Sequence, residues 1–498
     1  AIRSPITPFK PRALSDRGVR RQVNAFVRAA RLAKKAGYDG VEVMGSDGYF
    51  INEFTTPRVN KRADRWGGDA EKRYRIAVEI VRGIRASVGD DFIIVYRLSL
   101  LDLVPEGNRW DEIVAQARAV EAAGATIINS GIGWHEARIP TIATMVPRAG
   151  FTWVTRRLRD EVNIPVVATN RINTPGVAED VLAAGDADMI SMARPLLADA
   201  EFVGKAEAGR ADEINVCIAC NQACLDHAFV AKTASCLVYP RACHETELVI
   251  RAAPAKKNLA VVGAGPAGLA FACNAAERGH AVTLFDAADR IGGQFNMAKR
   301  IPGKEEFTET LRYYRRQLEL QGVELRLGVE VAAAELQGFD EVILATGVTP
   351  RDPGIEGSQH PMALSYVDVL KRNAEVGQRV AIIGAGGIGF DVAEFLGHPP
   401  HDPADHPEPA AFAREWGIDM TLSARGGVKG VRAEPDPLQR EIWLLQRKSS
   451  KPGKGLGKTT GWVHRLSLRT RGVKMLAGVE YRRIDGRGLH IHHDGQDK

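Results

Sequence analysis

At 498 residues the chain is longer than one hydrophobic core fills, so several domains are expected. Its 45% hydrophobic and 26% charged residues are ordinary for a globular protein, and it holds no run of 18 apolar residues and no signal-peptide core, which excludes a helical membrane span and points to the cytoplasm. The formal charge of +6 is small for this size and its basic residues are spread along the chain, so no nucleic-acid partner is inferred, while a basic cluster can still meet a phosphorylated ligand; a small-molecule substrate and a monomer are the expectation.

Residues 1–215 alternate short apolar strands with amphipathic helices. The strand candidates are "DGVEVMG" (39–45), "FIIVYRLS" (92–99), "ATIINSG" (125–131), "PVVATNR" (165–171) and "DMISMAR" (188–194). Helices at 71–88 and 111–124 lie between them. Repeated βα units predict a parallel sheet of the (β/α)₈ barrel class. The loops after the strands carry Tyr49, Arg97, His135, Arg171 and Arg194, on the face where such barrels keep their chemistry. Five units are present against eight in a closed barrel, and three more are expected to precede Ala1. The start without Met and the end at "HIHHDGQDK", with no closing strand evident, raise the same expectation of a fragment.

Residues 216–250 hold four of the six cysteines: Cys217, Cys220, Cys224 and Cys236. Such a cluster admits an iron–sulfur centre, a zinc ion or unliganded thiols. Three ligands in one short loop and a distant fourth suit three corners of a cubane better than the paired knuckles of zinc. Cys273 is read as a core residue.

Residues 251–370 open on a small basic linker, "RAAPAKK". Gly263, Gly265 and Gly268 then follow a strand and start a helix, and Asp286 ends the next strand. The first glycine makes the turn, the second admits a pyrophosphate, the third lets helix meet strand, and the acid takes ribose hydroxyls. With "GGQF" (292–295) and "EVILATGVTPR" (341–351), this predicts an FAD domain. Residues 371–498 repeat the logic with Gly384, Gly386 and Gly389. The next strand, "EIWLLQRKSSK" (441–451), ends in Arg447 and Lys448, with no acid. A basic strand end favours a 2′-phosphate, hence NADPH; a solvated basic turn is the other reading. The intervening "HPPHDPADHPEP" (398–409) reads as a solvated loop, its histidines offering a metal tract as the alternative.

"GYDGVEVMGSDGYFINEF", "NKRADRWGG", "TIINSGIGWHEARIPTIA", "INVCIACNQACLD", "SCLVYPRACHE", "GAGPAGLAFA" and "GKGLGKTTGW" resemble the bacterial 2,4-dienoyl-CoA reductases. These are multidomain iron–sulfur flavoproteins of the old-yellow-enzyme group, related to trimethylamine dehydrogenase. The resemblance implies a TIM barrel with FMN, a 4Fe-4S segment on the four cysteines, and two Rossmann-like domains for FAD and NADPH. It implies NADPH-dependent reduction of 2,4-dienoyl-CoA in β-oxidation. Tyr49 matches the proton donor and His135 its partner, which also faces substrate; Arg97 matches the arginine at the flavin. Arg171, Ala193 and Arg194 match the flavin phosphate grip. Arg58, Val59, Asn60 and Lys61 match residues near the acyl-CoA, and Ala267, Asp286, Gln294, Lys304 and Val331 match FAD contacts. From the residues alone, Tyr49 also reads as a packing residue, His135 as a satisfied core histidine, and the 58–61 loop as a brace for the barrel rim. An amine dehydrogenase of the same architecture and a catalytically inactive cofactor-binding fragment are the competing expectations.

Overall fold

The computed structural model describes residues 3–4, 9–400, 402 and 405–498, which divide into two compact units. The first comprises residues 1–142, 146–193 and 407–435. Its sheet is parallel, with strands in chain order: β1 (Gly40–Gly45), β2 (Ile93–Leu101), β3 (Ile127–Ile132), β4 (Val166–Ala168) and β5 (Met189–Ile190). Each expected strand is present. Alternation sets two faces. Ile94, Tyr96, Leu98 and Leu100 of β2 are fully buried, in one core with Ile76, Ile80 and Ile84 of the helix Ala70–Val88. Arg97, half a pleat away, points to the other face. Register places Met44, Arg97, Asn129, Val167 and Met189 in one row across all five strands.

The second unit comprises residues 143–145, 194–406 and 436–498. Strands β6 (Asn258–Val262), β7 (Ala281–Asp286), β8 (Glu324–Leu327) and β9 (Glu341–Leu344) form a parallel sheet in the order β8-β7-β6-β9. A second parallel sheet has the order β10-β11-β12, from β10 (Arg379–Ile383), β11 (Glu441–Leu445) and β12 (Lys474–Leu476). Each sheet begins with a strand, a Gly-rich turn and a helix, Pro266–Glu277 and Gly387–Gly397 respectively.

Two expectations need correction. The chain end reads as holding no helix or strand, yet it forms an antiparallel sheet of β13 (Glu480–Asp485), β14 (Gly488–His493) and β15 (Gln496–Asp497), separate from the sheet β8-β7-β6-β9. Its turns at Gly486–Arg487 and Asp494–Gly495 carry the hairpin signal, but histidine and arginine mask the alternation. Residues 407–435, expected inside the second nucleotide module, pack in the first unit instead. Phe412, Ala413, Ile418 and Leu422 are buried in the core of that unit, and burying each of the three large ones is worth roughly 1.5–3 kcal/mol. Arg425 adds a hydrogen bond to the Gly107 carbonyl (3.0 Å) and an ion pair with Glu112 (3.1 Å). His398 bonds the Glu394 carbonyl at 2.7 Å; His401 of the same tract lies outside the described residues. No helix among the described residues is long and apolar enough to cross a membrane.

Candidate active site and cofactor sites

Tyr49 follows β1 as the residue before the helix Phe50–Thr55. Its hydroxyl lies 2.9 Å from Nε2 of His135, which follows β3, and the rings meet edge to face with centroids 5.1 Å apart. Both side chains are exposed, Tyr49 by 49%, so His135 is not a satisfied core histidine. Its neighbour Trp134 is the buried one, donating from Nε1 to Asp102 at 3.0 Å. Asp102, 1% exposed, also accepts from Ser99 (2.7 Å) and the Asn108 N–H (2.6 Å), and so ties the end of β2 to the His135 loop.

Asp47 lies two residues before Tyr49. It adopts φ 61° in a short polar turn, and its carboxylate is 3.8 Å from Arg97. Burial pushes the Asp47 carboxyl up, opposed by Arg97 and His135. Burial and the Asp47 charge raise the Tyr49 phenol, opposed by Arg97. The phenol therefore keeps its proton at neutral pH, with a cation on hand to offset the charge left when it gives that proton up. Arg97 Nε is buried without a partner. An orphaned guanidinium N–H on the inner face of such a sheet fits an acceptor atom of a bound flavin. Across the row, Asn129 donates to Glu42 at 2.8 Å. Asp47, Glu42 and Asn129 were not anticipated; the "SDG" turn before Tyr49 was the available signal.

The other barrel residues are more heavily engaged. Arg171 is 5% exposed, in a left-handed backbone conformation, and donates to the Val146 carbonyl at 2.9 Å. Ala193 is exposed. Arg194, in the second unit, donates to Asn221 of the cysteine loop at 2.6 Å. Asn60 bonds the Phe54 and Trp66 carbonyls at 2.6 and 2.7 Å, and Val59 packs on the core, so these two brace the rim. Lys61 is exposed and bonds the Pro57 carbonyl; Arg58 bonds the Pro105 carbonyl at 3.1 Å.

Cys217, Cys220, Cys224 and Cys236 form no disulfide and are half-buried. Burial pushes the Cys220 thiol up to about 12, opposed by the Gln222 N–H and reinforced by the other three cysteines. Burial likewise raises Cys224 and Cys236, which receive N–H donors from Leu225 and from Val238 and Tyr239. Four thiols within electrostatic reach, with backbone N–H groups directed at sulfur, form a donor set that suits a thiolate-ligated cluster. Among the described residues no group of three or more His, Cys, Asp or Glu is gathered for a single metal ion, so the fit rests on this mutual influence and on the N–H donors. The segment is fastened from the "GKGLGKTTGW" loop. Thr459 donates to Asp226 from both its N–H and its hydroxyl (2.7 Å each), and Lys458 donates to the Phe229 carbonyl at 2.8 Å. Cys273 packs on the core of the first nucleotide module, where burial holds its thiol at about 12.

In the first Gly-rich turn, a Cβ on Gly268 would stand 1.9 Å from the Gly263 carbonyl oxygen, while Gly265 faces open space. The third glycine thus seats the helix on the strand, and the second leaves room for a pyrophosphate. Asp286 accepts from the Ala264 N–H (2.6 Å) and the Ala288 N–H (2.8 Å), so both of its carboxylate oxygens brace the turn. Ala267 is exposed in the first turn of the helix, and Val331 is half-buried. Gln294 donates to the Val348 carbonyl at 2.6 Å. Lys304 is held in a 2.6 Å ion pair with Asp391, on the helix of the second Gly-rich turn, so its charge is committed there. In that turn, Gly384 and Gly386 face open space, and a Cβ on Gly389 would meet the Gly384 oxygen at 1.8 Å. Arg447 and Lys448 are exposed beyond β11. Tyr481 of β13 has a half-buried phenol that burial raises and the Arg447 charge opposes.

Residues 3–213 match the model of the NADH:flavin oxidoreductase / NADH oxidase family, and residues 257–497 match that of the pyridine nucleotide-disulphide oxidoreductases. A metal reductase of Desulforamulus reducens is 38% identical over 79% of this chain and 60% of its own length. An N,N-dimethylglycine/sarcosine dehydrogenase of Chromohalobacter salexigens is 32% identical over 80% of this chain and 58% of its own. The chain thus spans about 60% of the length of these relatives. A solved 2-naphthoyl-CoA reductase in complex with 2-naphthoyl-CoA superposes with a TM-score of 0.88 at 30% identity, covering 100% of this chain and 71% of that one.

Proposed function

We propose that the chain, whose residues 3–213 match the NADH:flavin oxidoreductase / NADH oxidase family and whose residues 257–497 match the pyridine nucleotide-disulphide oxidoreductases, carries out NADPH-dependent reduction of 2,4-dienoyl-CoA to an enoyl-CoA, as a monomeric cytoplasmic enzyme. The observation that carries this reading is the 2.9 Å contact between Tyr49 and His135 beside Arg97. When bound, FMN, FAD and a 4Fe-4S cluster supply the hydride and single-electron chemistry that links NADPH to the far double bond of the diene. Arg97 would hold the flavin with its free Nε–H. Cys217, Cys220, Cys224 and Cys236 would hold the cluster, and the turns at Gly263 and Gly384 the two dinucleotides. Tyr49 keeps a proton on its hydroxyl and delivers it to the substrate carbon. His135 aligns that hydroxyl and bonds the phenolate as charge develops. The solved relative bound to an acyl-CoA thioester supports this substrate class. The amine-dehydrogenase relative supports the second reading, oxidation of an amine, against which stands the basic end of β11 at Arg447 and Lys448.

The test is turnover by cofactor-loaded protein supplied with NADPH and 2,4-dienoyl-CoA. Tyr49→Phe is expected to lower the rate of dienoyl-CoA reduction by about 100-fold or more, the scale of a lost general acid, with flavin reduction by NADPH retained. Wild-type protein that oxidises secondary amines and leaves dienoyl-CoA untouched would establish the second reading.

A further inference from the structure

The second nucleotide module contains a cavity of about 230 Å³ lined by Lys451, Pro452, Arg465, Arg469, Val473 and Met475. That is below the ~300–1,000 Å³ of sites for whole ligands, and suits one group of a larger molecule. Three of the six residues are cations and none is an acid. Arg465 and Arg469 stand one turn apart on the helix Gly461–Arg471 and share a face. Arg465 Nε is buried with no hydrogen-bond partner. Among the described residues no carboxylate pairs with Arg465 or Arg469. Burial and the Arg469 charge together hold the Arg465 guanidinium below its ordinary value. Gathered like charges and an orphaned buried N–H describe a site that an anion completes.

Its position narrows the choice of anion. The Gly453 N–H donates to the carbonyl of Ala385, inside the second Gly-rich turn, at 3.2 Å. Arg465 Nη1 donates to the Gly453 carbonyl at 2.8 Å. One residue of backbone therefore joins the cations to the turn that would cradle a pyrophosphate. The loop bearing Lys451 leaves the carboxyl end of β11, the edge at which open parallel sheets take their ligands. Pro452, Val473 and Met475 give the cavity an apolar wall that suits the ribose and base edge.

We propose that this cavity receives the 2′-phosphate on the adenosine ribose of NADPH, read by Lys451, Arg465 and Arg469. The inference rests on NADPH being the donor, and it places the discrimination against NADH beyond the Arg447–Lys448 pair. Calorimetric titration of the 498-residue chain with 2′,5′-ADP and with 5′-ADP tests it, since the two differ by that one phosphate. Wild-type protein is expected to prefer 2′,5′-ADP. Arg469→Glu should reduce the preference at least about tenfold, the scale of one lost charge-assisted hydrogen bond, and Arg469→Lys should retain most of it. Arg469 is exposed at the end of its helix, and circular dichroism of each variant checks the fold. A full preference in Arg469→Glu, lost instead in Arg447→Glu, overturns the inference and leaves NADPH as donor. Equal affinity of the wild type for both probes overturns the two together.

Discussion

The two Gly-rich turns share a pattern and differ in what surrounds it. In both, the third glycine seats the helix against the carbonyl of the first, at 1.9 Å for Gly268 and 1.8 Å for Gly389. In both, the first glycine takes φ +109°. Around the first turn, however, a Cβ on Gly263 would strike the Ala345 carbonyl at 2.3 Å, and Asp286 clamps the Ala264 N–H. Around the second, Gly384 faces open space, and the strand end is basic and exposed. The first turn is closed against the strand end at Ala345 in its own four-stranded sheet; the second, in a three-stranded sheet, has no such neighbour at Gly384. The comparison teaches that the glycine motif fixes a backbone path, while neighbouring strands decide how closely the first glycine is packed.

The part common to both turns is tested by Gly268→Ala and Gly389→Ala. Each places a methyl group on backbone that cannot move aside, so each is expected to cost about 3 kcal/mol and to abolish nucleotide binding in its own module. Denaturant midpoints and bound-nucleotide titration check this; an unchanged midpoint in either variant would remove the close-approach argument.

Acid should separate the two modules. His464, behind the second turn, is held down to about 4, by burial first and then by Lys304, against the opposing pull of Asp391. The unfolded chain takes up a proton near 6.5 that the folded module refuses until about 4. Stability therefore falls as the pH drops through that window and levels off below it, with a total of up to roughly 3 kcal/mol. Thermal melts from pH 7 to 4 should show this loss, and His464→Asn should flatten it. A melt independent of pH would place an uncharged-to-charged change at His464 out of play.

The smallest expected effect is the difference between the first glycines. Gly384→Ala meets only the left-handed backbone strain, about 1–2 kcal/mol, whereas Gly263→Ala adds the clash with Ala345. The second variant should be the worse by about 1 kcal/mol or more; equal losses would show that the Ala345 approach relaxes freely.

Local pattern made much of this legible. The period-two strands of the first sheet, the glycines before two helices, and the three-plus-one cysteines are all set by neighbours a few residues apart. Tyr49 and His135 were marked as strand-end residues, yet nothing in their spacing of 86 positions says that their side chains meet at 2.9 Å; the parallel order β1-β2-β3 does that. Asp47 escaped notice because an acid in a "SDG" turn ordinarily serves the turn itself.

By itself, then, the sequence determined what contiguous residues can determine: strand and helix periods, the glycine positions that backbone geometry demands, and the thiol-rich window. Only the tertiary structure decided which distant groups share a partner. It gave Lys304 to Asp391, Asp226 to Thr459, and Phe412 with Ile418 to the core of the first unit. It also folded the His- and Arg-rich C-terminal stretch into an antiparallel sheet. The physical reason is the same in each case. Ion pairs and apolar burial depend on which surfaces the packed elements present to one another, and that is set by the arrangement of elements far apart in the chain.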